Sequence, residues 1–286
     1  MRGMLEGDGT IVVPGVFDGL TALLATRAGA RALYLSGAAF SASMGLPDVG
    51  LIAREEVVGA MRRIARVTRV PTIVDADTGF GGPLHVMRTV RELEGAGAAA
   101  IQIEDQVDPK RCGHLEGKQV VEPGRMVEKV AAAVAARRDL LVVARTDARA
   151  THDLDEAIRR GLAYHEAGAD VVFPEALETE DEFAAYAAAV PGPLLANMTE
   201  FGKGPLLTAA RLAELGYRLV IFPVSAARVA ARAVEAFYAD LLAAGAQDEW
   251  LDRMMTRDQL YELIGYDAYA ELDRALARDP GEPRED

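Results

Sequence analysis

The stretches PTIVDAD (71–77) and AAIQIED (99–105) decide how this chain is read. Each is a short, mostly apolar run that closes on carboxylates. Runs this short, rich in Ile and Val and lacking clean alternation, suit strands buried on both faces. Six more segments share the pattern: TIVVPG (10–15), RALYLSG (31–37), LLVVARTD (140–147), ADVVFPE (169–175), PLLANM (193–198) and RLVIFPV (218–224). Helical spacing of apolar residues fills the intervals at 17–28, 53–67, 83–96, 123–137, 153–167, 179–189, 208–215 and 226–244. Eight such repeats predict an α/β chain folded as a (β/α)8 TIM-type barrel with right-handed crossovers. An open doubly wound sheet is the alternative, but the first strand is not followed by the GxGxxG turn of dinucleotide-binding forms. A single domain over 1–286 is expected, with a C-terminal helical extension at about 247–278 and a frayed acidic end.

Length and composition agree with one large core. The chain has 286 residues, half of them apolar, so no disulfide or metal staple is needed for folding. A net charge of −13 excludes a general basic footprint for nucleic acid. The single cysteine, Cys112, excludes an intrachain disulfide and a thiolate zinc cluster. The first ten residues, MRGMLEGDGT, lack an apolar signal region, and no apolar run is long enough to span a bilayer. A soluble, cytoplasmic protein without membrane or nucleic-acid partners is expected.

The strand ends carry the chemistry. Ser36-Gly37, Asp75-Ala76-Asp77, Glu104-Asp105, Arg145-Thr146-Asp147, Glu175 and Asn197 close six of the eight strands. Active sites of such barrels form at the C-terminal strand ends, and packing alone does not call for polar groups at six of them. Asp75 and Asp77, two apart, point to one side of an ideal strand. With Glu104 they offer hard oxygen ligands, which suit Mg²⁺ or Mn²⁺. It stays open from the residues alone whether one aspartate instead caps a helix or pairs with Arg145. Gly79-Phe80-Gly81-Gly82 reads as a tight loop before Pro83, since no Lys-Ser or Lys-Thr follows. Loops 38–52 and 105–122 are long, and the second holds Lys110-Arg111-Cys112-Gly113-His114. Two cations and an imidazole beside a thiol keep it reactive. Of only four lysines, Lys110 and Lys118 flank Cys112. His85, His152 and His165 read as ordinary helix residues. Arg145, at a strand end, is an anion clamp by position. A hard cation, cationic clamps and a thiol acid suit cleavage of a C–C bond beside a carboxylate.

The segments YLSGAAFSASMGLPDVG (34–50), VDADTGFGG (74–82), IEDQVDPKRCGHLEGK (103–118), VVARTDAR (142–149), LLANMTEFGKGPLLT (194–208) and MMTRDQLYELIGY (254–266) resemble the isocitrate lyase and phosphoenolpyruvate mutase superfamily, most of all its methylisocitrate lyases. The resemblance spans about residues 10–275. It implies a barrel whose last helix is exchanged between subunits, in dimers of helix-swapped dimers. It implies Mg²⁺ (or Mn²⁺) on Asp75 and Asp77, with Glu104 joined through water. It implies substrate contacts from Ser36, Gly37, Ala38, Gly113, Arg145, Asn197, Thr199, Arg228 and Arg257. Cys112 is the implied general acid, with His114, Glu175 and Asp48 close by. The implied reaction is cleavage of 2-methylisocitrate to pyruvate and succinate, as in propionate breakdown. CGHxxGK is shared with lyases acting on oxaloacetate and 2,3-dimethylmalate and with carboxyphosphonoenolpyruvate mutase, which are the alternatives. Ala38 stands where some methylisocitrate lyases have a third glycine, and Leu115-Glu116-Gly117-Lys118 where some have RPNK.

Overall fold

Each apolar run becomes a parallel strand: β1 (Ile11–Val16), β2 (Leu33–Leu35), β3 (Thr72–Asp75), β4 (Ala100–Glu104), β5 (Leu141–Thr146), β6 (Val171–Pro174), β7 (Leu194–Asn197) and β8 (Tyr217–Phe222). In the computed structural model, which describes residues 1–7, 9–111 and 117–277, they close in sequence order, with β8 returning to β1 through Ile11–Leu219 and Val13–Ile221 pairs. The α/β barrel expected from the repeats is therefore the fold. The helices are α1 (Arg2–Glu6), α2 (Gly19–Arg27), α3 (Gly37–Ser43), α4 (Arg54–Val67), α5 (Pro83–Gly95), α6 (Pro123–Ala136), α7 (Ala148–Thr151), α8 (Leu154–Glu166), α9 (Glu180–Ala189), α10 (Ala209–Glu214), α11 (Ser225–Ala244), α12 (Arg257–Ile264) and α13 (Tyr266–Leu276). A 3₁₀ turn covers Asp248–Arg253.

Local chemistry sets where helices start. The Asp18 carboxylate accepts the Thr21 N–H at 2.7 Å to open α2, and Asp153 accepts that of Glu156 at 2.8 Å to open α8. Proline at the first turn opens α5 and α6, where its missing N–H costs nothing. Gly168, at φ 98°, ends α8 in a conformation that favours glycine. The stretch 38–52, expected as a long loop, instead starts with α3. Ser36 caps it by accepting the Ala39 N–H at 3.2 Å, and Ala39, Phe40 and Ser41 are buried where the helix meets β1.

A two-residue period governs the barrel interior. Ile11, Val13, Tyr34, Ile73, Ala100, Leu141, Val143, Val171, Phe173, Leu195, Leu219 and Ile221 form the inner core, sealed at the N-terminal end by Met1, Met4 and Leu5 around α1. A second layer, with Leu35, Val74, Ile101, Val142, Met61, Ile64, Val90 and Leu93, joins the outer strand faces to the helices. Each fully buried aliphatic side chain contributes about 1.5–3 kcal/mol. Continuing the inward set by one step places Ser36, Asp75, Glu104, Arg145, Glu175 and Asn197 at the barrel mouth.

The chain divides into two compact units, Met1–Val229 and Ala230–Asp286. The first holds the barrel. The second holds most of α11 with α12 and α13, and Tyr261 stacks on Tyr266 at 4.6 Å within it. No residue of α11, α12 or α13 is buried. Among the described residues no helix is long and apolar enough to cross a membrane.

β1 runs so close to the end of β8 that Gly15 has no room for a side chain: a Cβ there would lie 2.1 Å from the Pro223 carbonyl oxygen. Backbone cannot swing aside as a flexible side chain does. Gly15→Ala is expected to cost at least about 1–3 kcal/mol, read as a lowered midpoint of urea unfolding.

Candidate active site

The polar ring at the mouth opens into a cleft lined by Tyr34, Ser36, Ala38, Asp48, Asp75, Lys110, Arg145, Phe173, Glu175, Asn197, Thr199 and an apolar wall of Ile221, Pro223 and Val224. On one side stand the two aspartates. Asp75 accepts the Gly37 N–H with one carboxylate oxygen and the Asp77 N–H with the other, both at 3.2 Å. Asp77 follows with φ 49°, a conformation disfavoured for a side-chain-bearing residue and typical of functional turns. Gly37 keeps the space over both carboxylates open, since a Cβ there would stand 3.0 Å from Asp75 Oδ2 and 3.5 Å from Asp77 Oδ1.

Lys110 reaches into this acidic corner. Its Nζ lies 2.8 Å from Asp77 Oδ1 and also pairs with Asp48. Burial alone would favour a neutral amine, but Asp77, Glu104, Asp75 and Asp48 together outweigh it and raise the lysine pKa. Burial likewise pushes the Asp77 carboxyl up to about 6, with Asp75 adding to the rise and Lys110 opposing it. The Glu104 carboxyl is driven well above the ordinary range, again first by burial.

On the other side, Arg145 is held rather than free. Its Nε and Nη2 donate to the two oxygens of Asp147 at 2.9 and 3.0 Å, a bidentate fork. Its Nη1 lies 3.4 Å from Glu104 and 3.3 Å from Glu175, and the guanidinium carbon sits 5.3 Å from the centre of the Phe173 ring. Asp147 is fixed from behind by Asp105, which accepts the Asp147 N–H at 2.9 Å, the Thr146 hydroxyl at 2.8 Å, the Tyr164 hydroxyl at 2.7 Å and Arg160 at 3.0 Å. Asn197 donates to Glu175 at 3.2 Å, and Glu175 also accepts the Ala176 N–H at 2.9 Å.

A family model for phosphoenolpyruvate phosphomutase matches residues 1–242. The chain belongs to the phosphoenolpyruvate phosphomutase family. It is 52% identical to a 2-methylisocitrate lyase of Aeropyrum pernix, over 97% of this chain and 90% of that one. The crystal structure of a 2,3-dimethylmalate lyase superposes with a TM-score of 0.91 at 38% identity, over 100% of this chain and 96% of that one. A phosphonopyruvate hydrolase solved with oxalate and Mg²⁺ matches with a TM-score of 0.88 at 33% identity, over 97% of this chain and 98% of that one.

In this member of the phosphoenolpyruvate phosphomutase family, Ser36, Ala38, Asp48, Asp75, Arg145, Glu175, Asn197 and Thr199 share one cleft, with Gly37, Asp77 and Glu104 at its edge. Arg228 is engaged by Glu200 at 2.6 Å, by Thr199 at 3.3 Å and by the Phe201 ring face at 5.4 Å. Arg257 opens α12, in the second unit. Cys112, Gly113 and His114 lie outside the described residues. The sequence reading missed Tyr34, whose hydroxyl pairs with Gln102, and left Asp147 without a role. Tyr34 was hidden inside an apolar run.

The carboxylates fit a hard cation. Glu104 Oε1 is buried with no hydrogen-bond partner, and Asp77 Oδ1 makes its ion-pair contact with Lys110 without hydrogen-bond geometry. Among the described residues no three acidic, His or Cys side chains converge into a ready cage. Asp75, Asp77 and Glu104 offer oxygen donors only, the ligand type that hard cations take.

An ionised Asp77 in this site opposes folding of the metal-free chain. With a folded-state pKa near 6 against an ordinary 3.8, the folded protein holds the extra proton between those values, so stability falls as pH rises through that window. Asp77→Asn is therefore expected to melt higher than wild type in EDTA at pH 7–8, by the equivalent of about 1–3 kcal/mol. The gain should shrink as pH drops below 6. Equal melting of the two proteins at pH 7.5 would contradict it.

Proposed function

We propose that the chain is a Mg²⁺-dependent carbon–carbon lyase that cleaves 2-methylisocitrate to pyruvate and succinate. The observation that carries the proposal is the meeting at one barrel mouth of the carboxylates of Asp75, Asp77 and Glu104 with the Nη1 edge of Arg145. The kinship with 2-methylisocitrate lyases supports the choice of substrate, and the Mg²⁺ and oxalate of the hydrolase relative support the choice of ion. Asp75 and Asp77 would hold Mg²⁺, with Glu104 reached through water. When bound, the ion supplies a Lewis acid for the hydroxy-carboxylate end of the substrate and for the charge that develops there.

The chain's own residues then place and protonate. Arg145, locked by Asp147, presents one fixed N–H edge to a substrate carboxylate, which lowers the entropic cost of orientation. Ser36, Gly37, Ala38, Gly113, Asn197 and Thr199 would contact the remaining oxygens, and Arg228 and Arg257 would each serve as substrate contacts. The C2 hydroxyl gives its proton to a carboxylate of the cleft or to water, and C2 becomes the carbonyl carbon of pyruvate as the C2–C3 bond breaks. The electron pair passes to C3, delocalised into its carboxylate. The Cys112 thiol gives C3 a proton and completes succinate, a step to which His114 and Glu175 would also contribute. Asp48, held by Lys110, closes the acidic corner. The enzyme works in the cytoplasm.

We further propose that the apolar face of the C-terminal helices is covered by a second copy, in dimers of helix-swapped dimers. Val234, Tyr238 and Leu242 of α11 and Tyr269, Leu272 and Leu276 of α13 are exposed, and runs of this kind mark interaction surfaces. Helix exchange would leave the barrel and its C-terminal helices one functional domain. Leu242→Asp is expected to lower the mass found by light scattering from tetramer toward monomer. An unchanged tetramer would count against the interface.

Activity is tested with a coupled pyruvate assay. Pyruvate release from 2-methylisocitrate should stop in EDTA and return with Mg²⁺, and Cys112→Ser should fall about 10²–10⁴-fold because a hydroxyl is a far weaker acid. A higher kcat/KM on 2,3-dimethylmalate, oxaloacetate or carboxyphosphonoenolpyruvate would replace the substrate. Full activity in Cys112→Ser would remove the thiol from its role.

A further inference from the structure

Arg145 presents a difficulty. A guanidinium forked by one carboxylate is a neutral pair, and Glu104 and Glu175 lie just beyond its outer edge at 3.4 and 3.3 Å. On those contacts alone the corner would repel an anionic substrate. A second cation reduces this excess. Lys118 Nζ lies 2.7 Å from Asp147 Oδ1, the oxygen that also accepts Arg145 Nη2 at 3.0 Å. The Lys118 side chain is 2% exposed and that of Asp147 fully buried, so water screens little of the interaction.

Backbone pairing holds Lys118 there. The Val107 N–H donates to the Gln119 carbonyl and the Val121 N–H to the Asp105 carbonyl, each at 2.8 Å, and Gln106 and Val120 form an antiparallel bridge. Lys118 therefore returns to the mouth from a pinned backbone. Asp105, which anchors that bridge, also anchors Asp147.

We propose that Lys118 is a positioning residue for substrate binding: its ammonium offsets the charge of Asp147, so that Asp147 can lock Arg145 in place without adding its own charge to that of Glu104 and Glu175 at the mouth. The inference rests on the reading that Arg145 meets a substrate carboxylate. Lysine suits the task because its compact charge reaches one oxygen without competing for the fork.

The test uses the full-length protein with Mg²⁺, measuring the Kd for succinate by calorimetry and kcat and KM for 2-methylisocitrate. Lys118→Gln keeps a donor toward Asp147 and deletes the charge. It should weaken succinate binding about tenfold, the scale of one charge-assisted contact, and raise KM more than it lowers kcat. Lys118→Arg should restore binding to within about threefold. The double variant Lys118→Gln/Asp147→Asn, which removes both charges, should recover most of the loss. A purely structural lysine would make the double variant worse than the single one. Wild-type affinity in Lys118→Gln, or a double variant weaker than Lys118→Gln, overturns the proposal. If Lys118→Gln is too unstable to assay, the double variant decides: binding within about threefold of wild type supports the proposal and a greater loss overturns it. Arg145→Lys is the control. Unchanged succinate affinity there would overturn the reading of Arg145 itself, and this inference with it.

Discussion

Parallel strands turn successive side chains to opposite sides, and a closed barrel gives one of those sides no solvent except at its two ends. That constraint decides where chemistry can sit. Ile73 and Asp75 lie on the same face of β3, as do Val143 and Arg145 on β5 and Phe173 with Glu175 at the end of β6. The lower positions fill the interior with hydrocarbon. The next step up reaches the mouth, where charge has access to water and ligands. Scaffold and site are consecutive turns of the same pleat.

The mouth is electrostatically overloaded on its acidic side. Asp48, Asp75, Asp77, Glu104, Asp147 and Glu175 meet three cations, Lys110, Lys118 and Arg145, among the described residues. Buried carboxylates in excess raise their own pKa values, as Asp77 and Glu104 show. The imbalance is a cost in the metal-free protein and a source of affinity for a divalent ion. Sites that work often oppose folding in this way. The three cations divide the labour: Lys110 tempers the pair of aspartates, Asp147 locks Arg145, and Lys118 offsets Asp147.

Much of this was legible before any coordinates. Asp75, Glu104, Arg145, Glu175 and Asn197 stand out because polar residues at the ends of buried strands need a reason to be there, and strand order places them together. Partners were another matter. Arg145 read as an anion clamp by position, with a pairing to Asp75 or Asp77 left open, yet its nearest contact is Asp147, two residues on, because the chain turns at the strand end and brings Nε back over that carboxylate. Arg228 likewise proved to be held by Glu200, from the loop after β7. α3 was missed because its Ala- and Ser-rich sequence carries little amphipathic signal; the Ser36 cap and packing against the strands decide it. Tyr34 was unreadable for the opposite reason, since an aromatic in an apolar run looks like core.

The sequence by itself determined the eight-fold repeat, the closed α/β architecture and the kinds of atoms at the mouth, because strand periodicity and residue chemistry are local properties. Only the tertiary structure decided which charges touch. Lys110 finds Asp48 and Asp77 from 62 and 33 positions away, and Lys118 finds Asp147 from 29 positions away. Those pairings depend on barrel closure and on where the backbone is pinned, and a linear string holds neither.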